Sequence, residues 1–324
     1  MKVTAIAHPN LAFIKYWGRK DEVLRLPTNG SISINLSGCT TKTTVEFSDR
    51  YSSDSVNLKD QHSSEVERIV KHLDRIRILA GITLKAKVVS ENNFPSGTGL
   101  SSSSSGFAAL TVAGVSAAGI SLSEKELSIL ARQGSGSACR SIPGGYVEWI
   151  NGATSEESYA TSIFGAEHWN IVDIVAVVST EKKDVPTSQG QLSAQTSPFF
   201  EIRATRMAKK ILLVKQLIKE KKFSEFGELI EAEALEMHAI MLTSTPSLVY
   251  WSQGTLLLIK LVKKWRNEGL GVYFTVNTGQ DIHLICEAHN VDKIKQKLLE
   301  IPEVIKIIVN TPAEGAHVTE EHLF

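Results

Sequence analysis

Two hydrophobic periods alternate along the chain, and the switches between them mark its elements. Ile32–Leu36 alternates apolar and polar positions in steps of two, as a half-buried strand does. Val3–Ala7, the threonine-rich Thr40–Phe47 and Ile82–Val89 read the same way. Between them Val66, Ile69, Val70, Leu73 and Ile76 recur at steps of three and four, which predicts a helix over Ser63–Ala80. The run GFAALTVAGVSAAG, residues 106–119, is small and apolar all round, the pattern of a buried helix. Tyr146–Ile150 and Ile171–Ser179 return as strands. A polar stretch over Asp184–Ser197 then separates them from three amphipathic helices; in the second, Phe226, Leu229, Ile230, Met237, Ile240 and Met241 fall on one face. Strands Val272–Val276, Ile282–Cys286 and Val304–Val309 close the chain, with a helix over Val291–Leu299. Without regular βαβ alternation the class is α+β. The polar stretch suggests two lobes, residues 1–185 and 186–324.

Composition narrows the function classes. The 324 residues are long enough for two lobes of roughly 150 residues. Thirty-five basic residues balance thirty-five acidic ones, so no long-range field draws the chain to nucleic acid or an anionic membrane. The basic groups at Lys219–Lys222 and at Lys263, Lys264 and Arg266 read as solvated helix faces. Three scattered cysteines suit a reducing compartment. The first residues lack a leader pattern, and no apolar run reaches the roughly 18–20 residues of a membrane span. A soluble, cytoplasmic protein is expected.

The chemistry concentrates in three blocks. The first is NFPSGTGLSSSSSG, residues 93–106. Gly97 and Gly99 let the backbone turn several N–H groups onto one anion, and the following helix adds its positive end. The hydroxyls of Ser101, Ser102 and Ser103 are suited to phosphate, and that of Ser103 to Mg²⁺. The pattern is neither GxxxxGK[ST] nor GxGxxG. The second block is HPNLAFIKYWGRK, residues 8–20, and the third RQGSGSACRSIPGGYVEW, residues 132–149. Lys15, Arg19 and Arg140 offer fixed charge, and Asn10, Tyr16, Ser135 and Ser137 neutral donors, the set a phosphorylated carboxylate requires. Lys15, flanked by Ile14 and Tyr16-Trp17, is a better site candidate than Lys20. His283, Cys286 and His289 are spaced by three but face opposite ways on a strand, so a metal cluster is not expected.

Pro95-x-x-x-Gly99-Leu100-Ser-Ser-Ser resembles the phosphate loop of GHMP kinases, P-x-x-x-G-L-x-S-S. The other two blocks are similar to the signatures of the mevalonate diphosphate decarboxylase branch of that superfamily. This resemblance implies the two-lobed GHMP fold with an ATP and substrate cleft between lobes, homodimers, and two-stage chemistry. ATP with Mg²⁺, held by Pro95, Gly97, Gly99, Leu100 and the serines after them, phosphorylates the 3-hydroxyl of a 5-phosphorylated mevalonate; phosphate and CO₂ then leave. Arg140 would grip the carboxylate with Ser135 and Ser137 nearby. Lys15 would face the 3-hydroxyl, and Tyr16 and Arg19 the 5-phosphate. A mevalonate-type 3-kinase that stops after phosphorylation is the alternative.

Two positions depart from the family. Where it carries a basic aspartate in F-x-D-A-G-P-N, this chain has Asn277 in YFTVNTGQD. An amide accepts no proton at neutral pH. The exchange either disables turnover, or is tolerated because phosphoryl transfer leans on positioning, or is covered by Asp281. Four residues along a strand is ~13 Å, which disfavours the last. In KDVPTSQG, Thr187-Ser188 stands where relatives that use the diphosphate often have Ser-Arg. Losing that arginine suits the less charged 5-phosphomevalonate, unless basic residues from elsewhere compensate.

Overall fold

The computed structural model describes residues 1–58, 63–95, 97–181 and 183–324. Its described residues form an α+β structure with three main sheets. The first has five strands in the order His317–Thr319, Lys2–Ala7, Thr41–Ser48, Lys85–Asn92 and Ser55–Leu58. All its pairings are antiparallel except the last. The second sheet orders Ala160–Phe164, Tyr146–Trp149, Ser31–Asn35 and Asn10–Ile14. The third orders Val272–Thr275, Ile282–Glu287, Ile171–Val177 and Lys306–Asn310, all antiparallel. A short ribbon pairs Arg19–Asp21 with Leu26–Pro27.

Eight α-helices surround these sheets among the described residues: α1 Ser63–Ala80, α2 Ser102–Ala117, α3 Glu124–Gly134, α4 Thr187–Gly190, α5 Phe200–Glu220, α6 Phe223–Thr243, α7 Gln253–Asn267 and α8 Val291–Leu299. α2 is buried on nearly every side, as its composition predicts, and packs with α1 and α3 over the first sheet. Each large apolar side chain so buried contributes about 1.5–3 kcal/mol relative to exposure. A second core joins Phe13 and Ile34 to Phe226 and Ile230 of α6, with Phe13 edge-on to Phe226 at 4.9 Å. A third fills the space between the last sheet, α7 and α8. No helix among the described residues is long and apolar enough to cross a membrane.

The predicted α1 and α8 match in extent, while strand ends shift by a few residues. The strand expected from Ile82 starts at Lys85, because Gly81, at φ 65°, ends α1 and folds the Ile82 N–H back onto Arg77 O. Asn10–Ile14 carries no period-two signal because all five of its residues are buried. The lobe boundary expected after residue 185 follows a strand, Ile171–Val177, that lies in the third sheet, and the C-terminal strand His317–Thr319 returns to the first.

Candidate active site

The three sequence blocks converge on one cleft. Lys15 follows the buried strand Asn10–Ile14 and is itself almost fully buried. Its backbone is held from three directions: its N–H donates to Glu233 Oε1 at 3.1 Å, and its carbonyl accepts from Asn29 at 3.0 Å and Arg203 at 2.9 Å. Glu233, fully buried on α6, also pairs with Arg203 and, at 2.6 Å, with Lys210. That acidic knot fixes where the lysine stands and spends its carboxylate on other cations. The Lys15 Nζ instead donates to Asn277 Oδ1 at 3.0 Å. Burial pulls Lys15 down to about 7; Glu233 opposes the shift and Arg140 adds to it. The Asn277 backbone carbonyl accepts from His238 Nε2 at 3.0 Å, and its side-chain amide donates to Ser101 Oγ at 3.4 Å. Burial holds His238 neutral, at about 3.

Arg140 lies on the 3₁₀ turn Gly136–Ser141, buried, with its guanidinium 5.7 Å from the Trp149 ring. Two of its nitrogens reach Asn10 Oδ1, at 2.8 and 3.2 Å, and a third donates to Ser31 Oγ at 2.8 Å. No carboxylate accepts a hydrogen bond from it among the described residues, so it presents an unneutralised cation to the cleft. Asn10 does not itself line the cleft: its amide donates to Ser137 O and Ser141 Oγ. Its Oδ1 is taken up by Arg140.

The Ser/Gly segment forms a turned loop entering α2. Gly97 and Gly99 have φ of 83° and 124°, and Ser101, the residue capping α2, is also left-handed at 57°. At Gly99 an added Cβ would stand 2.9 Å from Gly279 Cα, and one at Gly279 would meet Thr98 O at 2.1 Å. The backbones of the loop and of the segment after Val272–Thr275 therefore touch, and Gln280 N–H donates to Thr98 O at 3.1 Å. Gly97, Gly99, Ser101, Ser102 and Ser103 line the cleft, whereas Leu100 is packed in the second core and Pro95 stands off the wall. Ser104 and Ser105 are spent internally, on Ser101 O and on Thr41 Oγ1. Unsatisfied N–H groups at the start of α2, positive-φ glycines and three open hydroxyls are a donor set that fits a nucleotide phosphate with Mg²⁺.

The rest of the wall holds the other named residues. Tyr16 OH accepts from Arg19 Nε at 2.8 Å, and Arg19 also pairs with Glu22. Ser135 Oγ lies 3.3 Å from Ser103 Oγ, joining the third block to the loop. Ser135, Ser137, Thr187 and Ser188 all border the cleft. Lys183, absent from the motif reading, borders it too. Its Nζ donates to Thr187 Oγ1 at 2.6 Å and Thr278 O at 2.8 Å, and burial lowers it to about 8. Asp281 is buried outside the cleft, accepting from Val178 N at 3.1 Å. It does not take the place left by Asn277. His283 bonds Asp173 at 3.0 Å in the core.

A phosphate loop at a helix N-terminus, sharing one cleft with a buried lysine and arginine, defines a phosphoryl-transferring enzyme acting on an anionic small molecule. Residues 7–160 match the diphosphomevalonate decarboxylase-like N-terminal domain, and residues 173–320 the mevalonate 5-diphosphate decarboxylase C-terminal domain. The chain belongs to the mevalonate diphosphate decarboxylase family. It is 38% identical to the diphosphomevalonate decarboxylase mvd1 of Aspergillus fumigatus, over 81% of this chain and 70% of that protein. It is 31% identical to the phosphomevalonate decarboxylase of Haloferax volcanii, over 93% of each. Mevalonate diphosphate decarboxylase from Staphylococcus aureus superposes with TM-score 0.93 at 38% identity, over 98% of each chain. A solved complex of MDDEF with MVAPP, AMPPCP and magnesium superposes with TM-score 0.92 at 36% identity, over 99% of each.

Proposed function

We propose that this chain is an ATP-dependent decarboxylase of a 5-phosphorylated mevalonate, releasing an isopentenyl phosphate ester, phosphate and CO₂. The observation that carries this reading is the cleft itself: Lys15 against Asn277, with Arg140 and the serine loop on the same wall. When bound, ATP with Mg²⁺ supplies the γ-phosphoryl group and part of the charge neutralisation. Ser101, Ser102, Ser103 and the α2 N-terminus would hold its phosphates, with Lys183 across the cleft.

Arg140 orients the substrate carboxylate, its own geometry locked by Asn10 and Ser31. Lys15 and Asn277 orient the 3-hydroxyl. Asn277 donates or accepts a hydrogen bond but takes no proton, so the 3-hydroxyl gives its proton to solvent as its oxygen bonds the phosphoryl group, and positioning carries the step. In the second stage the C3–O bond breaks to release phosphate. The C1–C2 bonding pair becomes the C2=C3 double bond as CO₂ departs. The paired lysine and arginine charges favour the leaving phosphate.

Turnover with Mg-ATP and either 5-phosphomevalonate or 5-diphosphomevalonate tests this, with ADP and CO₂ scored separately. Equal yields of both products are expected. ADP without CO₂ would replace the reading with a 3-kinase. The accompanying proposal is a cytoplasmic homodimer, its assembly checked by sedimentation of the full chain and its location by cell fractionation.

A further inference from the structure

Beyond Tyr16 and Arg19 the cleft wall carries two guanidiniums that no motif singles out, Arg25 and Arg68. Arg25 is set in the turn between the ribbon strands, with a left-handed backbone at φ 52°. That turn is pinned on both sides: Leu24 N–H donates to Asp21 Oδ1 at 2.7 Å, and Leu24 O accepts from the fully buried Arg132 at 3.0 Å. Arg25 Nε donates to Gln133 O at 3.1 Å, and Arg68 Nη2 donates to the next carbonyl, Gly134 O, at 3.2 Å. Adjacent carbonyls at the end of α3 thus hold the two guanidiniums side by side.

A helix C-terminus attracts cations, and capping α3 accounts for one nitrogen of each side chain. It leaves the others over. Among the described residues the terminal nitrogens of Arg25 have no hydrogen-bond or ion-pair partner, and the buried Arg68 Nε has none either. The carboxylates facing the group are few: Glu22 is taken by Arg19, and Glu65 offsets Arg68. Among the described residues no carboxylate pairs with Arg25, which lies in the fields of Arg19, Arg68 and Arg75, and burial with that like charge lowers it to about 10. Arg68 is further occupied by the Phe107 ring, 4.9 Å from its guanidinium, so the open fork is that of Arg25, which matches the geometry and charge of a phosphate.

Resting on the decarboxylase reading, we propose that Arg25 is a specificity-determining residue. With Arg68 behind it, Arg25 binds the outer phosphate of a 5-diphosphate and supplies the cation missing at Ser188. The preferred substrate is then the diphosphate, reversing the inference drawn from Ser188 alone.

The test compares 5-diphosphomevalonate and 5-phosphomevalonate on the full chain, on Arg25→Ala, on Arg25→Lys and on Arg25→Ala combined with Ser188→Arg. The unchanged chain is expected to favour the diphosphate. Arg25→Ala should raise the KM for the diphosphate about tenfold or more, the scale of one charge-assisted contact. The KM for the monophosphate rises less, so the selectivity ratio collapses. Arg25→Lys should recover part of that ratio, and Ser188→Arg should restore it in the alanine background. A merely structural role would weaken both substrates alike and leave the ratio intact, which would overturn the proposal. So would a preference of the unchanged chain for the monophosphate. If neither the unchanged chain nor Asn277→Asp releases CO₂ from either substrate, the decarboxylase reading itself has failed, a result distinct from both.

Discussion

Replacing Asn277 by aspartate places a carboxylate oxygen about where Oδ1 now accepts from the Lys15 Nζ at 3.0 Å. Two unit charges 4 Å apart attract by about 4 kcal/mol at an effective dielectric of about 20. At ~1.36 kcal/mol per unit, that raises the lysine by about three pKa units. Lys15 now sits at about 7, lowered by burial, so its ammonium is half lost at neutral pH and almost wholly lost at pH 9. Free-enzyme ionisations appear in kcat/KM. Above pH 7 the substrate phosphates are already ionised. The unchanged chain should therefore lose about 50-fold in kcat/KM between pH 7 and 9, the fall in ammonium for a group at ~7. Asn277→Asp should stay nearly flat over that window. Its kcat should also rise by roughly 10²-fold or more, because the position regains a proton acceptor. The assay is a pH profile of CO₂ release for both proteins. A flat profile for the unchanged chain, or an alkaline limb that Asn277→Asp leaves in place, would refute the argument.

Other outcomes follow from the same geometry. Lys15→Met should abolish turnover yet stabilise the fold: a lysine lowered to about 7 destabilises the folded state fully below pH 7, a penalty that fades as pH rises toward 10.5. The gain in Tm should thus be larger at pH 7 than at pH 10, and the reverse order would contradict the buried ammonium. Glu233→Ala removes the carboxylate shared by Arg203, Lys210 and the Lys15 backbone, and should cost about 3–5 kcal/mol in denaturant unfolding. Gly99→Ala, at φ 124° and 2.9 Å from Gly279, should raise the KM for ATP at least about tenfold while the Kd for the mevalonate ester changes little, read by calorimetry. Arg140→Gln should lower kcat/KM by about 10²-fold or more, with the loss shared by every substrate carrying the carboxylate.

Local patterns carried much of this structure. The serine loop was legible because a Gly/Ser stretch leading into an all-apolar helix has few other uses, and α1 because its apolar spacing is unbroken. α3 went unread although Ser123 and Glu126 form a capping box, a signal the sequence contains. Asn10–Ile14 was hidden by burial on both faces, which erases alternation. The site divides in the same way. Lys15, Tyr16, Arg19, Arg140 and Asn277 stand in contiguous blocks, while Glu233 and Arg203 act on Lys15 from far along the chain through contacts without a local signature. Asn10 shows the limit within a block: its position suggests a donor to substrate, while its hydrogen bonds to Arg140, Ser137 and Ser141 are not written in the local sequence.

The contact between Gly99 and Gly279 also bears on the order in which a working site is made. The loop that cradles phosphate is shaped against backbone 180 positions later, and Gln280 is tied to Thr98 across the same seam. During synthesis α2 and four of the first sheet's five strands emerge long before that partner exists. The nascent N-terminal part therefore lacks the template that fixes the loop's turn, and nucleotide affinity arrives late, with the last sheet. An unfinished chain is in this way kept from holding ATP before it has the residues to use it.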